Sequence, residues 1–177
     1  MFERAIKEPF VPTYEEMDDA LTLHECGYAF LNKKEELNVP VDVAAAYEKL
    51  NTAIFQKYAK KMSWLSQCLY FGENLYGIFD KDVLLEMYNA RKGFRIPKDE
   101  LEQLCNEFPA DMTECRLEEG NRFIIAKYLA YDGSYKDLID IQSGKDFYIP
   151  SAEQVQDYFK NLYLSKEPAY EKLPGRT

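Results

Sequence analysis

The chain has 177 residues, of which 46% are hydrophobic and 30% charged, with a formal net charge of −9 and a pI near 4.8. That composition excludes the hydrophobe-poor profile of a disordered segment, and the acidity sets an average repulsion against any phosphate backbone. DNA contact would need a locally basic face, and the sequence holds no run of some 18 apolar residues of the kind that spans a membrane.

The first dozen residues carry Pro9 and Pro12 and are expected to form an extended arm. They show no charged start leading into an apolar run, so a cytoplasmic setting is expected. Thr13 offers an N-cap, and Glu16 three residues on completes a capping box. A helix is predicted from Tyr14 to about Glu36, with Met17, Ala20, Leu21, His24, Tyr28 and Leu31 on one stripe and Gly27 weakening its middle. Asn38 and Pro40 break the pattern. Asp42 then caps a second, long helix whose apolar set is Ala46, Leu50, Ile54 and Tyr58, and a third is predicted from Ser63 through Leu75.

The stretch 79–89, FDKDVLLEMYN, echoes 96–106, IPKDELEQLCN, position by position. Each places an apolar residue before a helix start, with Asp80 as N-cap in one copy and Pro97 beside the first turn in the other, and acids follow where the helix dipole favours them. Residues 147–153, FYIPSAE, repeat the start a third time, with Ser151 and Gln154 able to make another capping box. Gly93 in the connecting turn supplies a left-handed residue, which gives a helix-turn-helix spacing.

After Phe108 and Pro109, residues 113–117 and 122–129 read as two strands around a Gly120–Asn121 turn. Helix, helix, helix and hairpin is the order of a winged helix. Asp132–Gly133 is a turn, a short helix is expected from Tyr135 to Ile141, and a last one runs from about Ser151 to Leu164. The predicted class is mainly α (α+β): a helical region over 1–62, a winged-helix-like core over 63–131 and a C-terminal helical extension over 132–177.

The runs at 75–89, 96–101, 122–125 and 147–153 together resemble an uncharacterised family of low-GC Gram-positive bacteria. Its members look like winged-helix-like modules with a Tyr-Ile-Pro-Ser helix start after the wing, some linked to a cysteine-rich SEC-C zinc motif that this sequence lacks. The resemblance spans about 64–170; it implies a fold and supplies no catalytic residue.

Chemistry-bearing constellations are sparse. The four cysteines, Cys26, Cys68, Cys105 and Cys115, lack zinc-ligand spacing and read as free thiols. His24, the single histidine, has Glu25 and Cys26 beside it, but adjacent helical residues point apart and do not converge on one ion. Pairs such as Asp18/Asp19, Glu35/Glu36 and Glu118/Glu119 read as solvated acidic surface. No phosphate-cradling glycine loop, nucleophile elbow or zinc-protease helix occurs. No enzyme activity and no cofactor are therefore expected.

One basic set stands out: Lys92, Arg95, Lys98, Arg116, Arg122 and Lys127, in the turn, the helix start and the wing. It is the candidate contact surface for nucleic acid or a partner. Against DNA, the helix that would read it carries Asp99, Glu100, Glu102 and Glu107. The expectation is a non-catalytic protein-interaction or regulatory module with another protein as partner and no membrane association. A sequence-specific DNA-binding regulator is the alternative.

Overall fold

The computed structural model describes residues 1–117, 122–133, 135–142 and 144–161. Among the described residues the fold is mainly α with two small antiparallel sheets, an α+β class, and the chain divides into two compact units at 57/58.

In the first unit the N-terminus is a helix, α1 (Phe2–Lys7), where an extended arm was expected. Pro9 marks the end of that helix and does not prevent it. Ala5 is buried, Glu3 and Lys7 suit the two poles of the dipole, and the Phe2 ring meets the edge of Tyr47 at 5.1 Å. The Thr13/Glu16 capping box forms, opening a 3-10 turn (Tyr14–Glu16) that runs into α2 (Met17–Glu25).

Helix α2 stops at Glu25, well short of the expected Glu36. Gly27 takes φ +73, and the amides of Gly27 and Tyr28 turn back to the carbonyls of His24 and Leu23 at 2.9 Å, which closes the helix end. Tyr28 and Leu31 thus leave the predicted stripe. The chain instead forms a small hairpin, β1 (Phe30–Leu31) with β2 (Leu37–Asn38). Asn32 builds its turn: Oδ1 accepts from the amides of Lys34 and Glu36 at 2.8 and 3.1 Å, while Glu35 sits at φ +61. Ala5, Ala20, Ala29 and Leu37 form the small core of this unit.

The next helices also divide differently from the expectation. Helix α3 (Val41–Leu50) starts after Pro40, with Asp42 in its first turn and no side-chain cap, and α4 (Ala53–Leu75) is one unbroken helix. The break falls at Asn51, where ψ is 58°, and not before Ser63. Thr52 starts α4, its Oγ1 accepting from Phe55 N at 3.2 Å.

In the second unit the buried part of α4 comprises Trp64, Leu65, Cys68, Leu69, Phe71 and Gly72. It is followed by β3 (Ile78–Asp80), α5 (Lys81–Asn89), α6 (Lys98–Glu107), β4 (Cys115–Arg116), β5 (Phe123–Ala126), α7 (Lys127–Asp132), α8 (Tyr135–Gln142) and α9 (Ala152–Asn161). The sheet order is β3-β5-β4, antiparallel throughout, with Phe79 opposite Ile124 and Cys115 opposite Ala126.

Two features of this sheet depart from the sequence reading. Residues 78–80 form a strand where only an approach to a helix was expected. The second hairpin strand ends at Ala126 where continuation to Leu129 was expected, because neither neighbour extends beyond that register, and the chain turns into α7. The Gly120–Asn121 turn, Glu118 and Glu119, and the end of the last predicted helix lie outside the described residues.

The echo between 79–89 and 96–106 marks equivalent buried positions. Phe79 and Ile96, Leu84 and Leu101, Met87 and Leu104, and Tyr88 and Cys105 are all buried in one core. Asn89 brackets the connecting turn, donating to Ile96 O at 3.1 Å and accepting from Ile96 N at 2.9 Å. Trp64 Nε1 donates to Tyr88 O at 2.9 Å, tying α4 to α5. The Ser151/Gln154 capping box forms, and α9 buries Val155 in the same core while its Tyr158 meets Phe71 at 5.3 Å.

Gly72 lets this core close. A Cβ there would lie 2.4 Å from Cζ and 2.6 Å from Cε1 of Phe79, closer than carbon atoms approach, and that ring is fully buried. Gly72→Ala should lower the unfolding free energy by about 1–3 kcal/mol, read as a shifted urea midpoint at unchanged slope. Asn89→Ala, which strands both polar groups of Ile96, should cost a similar ~1–3 kcal/mol in the same assay.

Candidate functional site

The polar centre of the second unit is Asp80, the last residue of β3. Its Oδ1 accepts from Asp82 N at 2.6 Å and caps α5, and its Oδ2 accepts from Arg122 Nε at 2.7 Å. The strand register explains the second contact, because Asp80 lies opposite Phe123 and so beside the residue before it. Burial works to raise the Asp80 carboxyl, but the Arg122 guanidinium and the α5 amides outweigh it and hold the group below the ordinary range.

Arg122 itself is largely solvated, and its guanidinium also lies 5.3 Å from the centre of the Phe123 ring. Asp80 and Arg122 line one side of a cleft of about 480 Å³, with Ile78, Val83, Phe123 and Phe147 as apolar lining and Asp82, Glu86 and Lys145 around them. Its charges are mixed, and Asp80 and Asp82 are already paired with Arg122 and Lys98.

The six basic residues do not act as one patch. Lys98 reaches Asp82 at 2.6 Å, Arg122 holds Asp80, and Lys127 donates to Ala110 O at 2.9 Å with Glu114 3.9 Å away. Lys92, Arg95 and Arg116 are exposed and carry no ion pair with another described residue. Half of the set is thus engaged inside the fold, and the other half is divided between the turn after α5 and the strand β4.

Three of the four acids of α6 face outward. Asp99, Glu102 and Glu107 are exposed, as are Gln103 and Asn106 between them. Glu100 pairs with Lys61, and Glu107 accepts from Tyr58 Oη at 2.8 Å and Gln103 Nε2 at 2.8 Å.

The thiols offer no poised nucleophile in the core. Burial pushes Cys105 up to about 11 and Cys115 up to about 12, and drives Cys68 well above its ordinary value. Cys26 is the exposed thiol. His24 Nδ1 lies 3.4 Å from Ala29 O, at the end of its own helix. Among the described residues no group of three His, Cys, Asp or Glu side chains comes together as a metal site, and no helix is long and apolar enough to cross a membrane.

Comparison of the chain with protein-family models, with curated proteins and with solved structures finds no match. Its geometry is therefore the basis for a functional reading. Two features of that geometry escape sequence inspection: the pairing of Asp80 with Arg122, which needs the unrecognised strand β3, and a second groove beside α4 and α9 lined by Tyr70, Met112 and Phe159.

Asp80 combines a cap and a charge, and two substitutions separate them. Asp80→Ala should destabilise by about 1–2 kcal/mol through loss of the cap, whereas Asp80→Asn should keep most of it. Because the folded-state value is depressed, the charge contributes above the ordinary aspartate range and is lost as the pH falls below about 4. Thermal melts from pH 7 down to 3 should show the wild type losing its margin over Asp80→Asn in that window.

Proposed function

We propose that the second unit is a winged-helix-like scaffold used as a non-catalytic protein-interaction or regulatory module, with another protein as partner, in a cytoplasmic setting. The scaffold reading is supported by the order helix, strand, helix, helix, strand, strand from α4 to β5, and by a sheet in which the first strand pairs with the last.

One observation carries the interaction reading. The helix that occupies the place of a DNA-reading helix, α6, turns Asp99, Glu102, Gln103, Asn106 and Glu107 to solvent, and its one cation, Lys98, is tied to Asp82. A phosphate backbone approaching this face meets carboxylates at short range, where screening is least effective. The same face suits a partner with basic surface, with charge steering the encounter.

A second reading, a sequence-specific DNA-binding regulator, draws on Lys92, Arg95 and Arg116, whose charges no other described side chain neutralises. Fluorescence anisotropy with a labelled duplex separates the two. The interaction module should leave the duplex unbound even at about 50 mM salt. Binding that weakens steeply with added salt and is abolished in a Lys92→Ala/Arg95→Ala/Arg116→Ala variant would establish the DNA reading instead. In a pull-down from the native host, the interaction reading predicts a partner released by salt, and recovery of none at any salt counts against it.

A further inference from the structure

The groove beside α4 and α9 has a volume of about 350 Å³ and two kinds of wall. Tyr70 and Phe159 meet edge to face, with ring centroids 5.5 Å apart, and Met112 and Phe159 remain 68% and 45% exposed. Around them stand Glu73, Asp111 and Glu114. Lys127, 3.9 Å from Glu114, is the cation paired there among the described residues, and three carboxylates against one ammonium leave an excess of negative charge.

Glu73 is the half-buried member of the three. Burial, together with the Glu114 carboxylate, raises its own carboxyl above the ordinary range, against the opposing Glu114 amide and Lys127. A further positive charge entering the groove would relieve that repulsion. A metal ion is a poor occupant, since the carboxylates do not converge as a metal-binding group. A phosphate is repelled.

A long cationic side chain fits both kinds of wall, its aliphatic stem lying on Met112 and the ring edges while its head meets the aromatic faces and the carboxylates. We propose that this groove receives a lysine or arginine side chain from a basic segment of a protein partner. The inference rests on the interaction-module reading and assigns it a contact point away from α6.

The test uses the full chain and a fluorescein-labelled peptide of alternating Lys and Leu, with the corresponding Glu and Leu peptide as control. Glu73→Gln/Glu114→Gln keeps the side-chain volumes and removes two charges from the groove, and Asp99→Asn/Glu102→Gln removes two from α6. The groove variant should weaken Lys-peptide binding about tenfold, Phe159→Ala should weaken it several-fold, and the α6 variant should change it less than about twofold. Equal losses in the two charge variants, or no binding of the Lys peptide by the wild type, would overturn the inference. A host partner captured equally by wild type and groove variant would overturn the groove assignment alone and leave the interaction reading standing.

Discussion

The second unit depends on the packing of the Phe79 ring against the bare backbone of Gly72. This contact brings β3 against α4, and its consequences pass in both directions along the chain. One residue later Asp80 caps α5, and across the sheet the register that puts Phe79 opposite Ile124 sets Arg122 beside Asp80. A hydrophobic contact thereby positions the main buried carboxylate of the fold. The reverse order is energetically implausible, since Arg122 is too solvated for its ion pair to organise a core.

From α5 the constraint reaches the surface. Asn89 holds Ile96 through two hydrogen bonds, and buried Leu101, Leu104 and Cys105 fix the rotation of α6 about its axis. Once those three point inward, the helix period leaves Asp99, Glu102 and Gln103 outward. The acidity of this face follows from the core pattern and is the basis of the proposed role as a platform for a protein partner. The same α4 that receives Phe79 and, through Phe71, the Tyr158 ring of α9 also supplies Tyr70 and Glu73 to the groove.

The sequence was most legible where local chemistry decides the outcome. Thr13 with Glu16, Asp80, and Ser151 with Gln154 each satisfy helix-end amides through neighbours three residues away or closer, and all three caps form as expected. The matching buried positions of α5 and α6 were readable from their echo. Features decided by distant partners were not. Strand β3 is only three residues long and reveals itself through β5, more than forty positions away. The early end of α2 turned on whether Gly27 would be tolerated within a helix or used to end it, and the side chain of Asn32 then favoured a hairpin over further turns. Of the six candidate basic residues, sequence spacing could not reveal that Lys98, Arg122 and Lys127 find acceptors within the fold.

Hydrogen exchange across β3 tests the central claim most directly, because the cap on α5, the Asp80–Arg122 pair and the outward acids of α6 all follow from that strand being seated. The account predicts that the amides of β3 and β5 exchange only through global unfolding, with the same protection as the buried half of α4. Exchange of β3 at the rate of an open loop, while α4 and α5 stay protected, would contradict it.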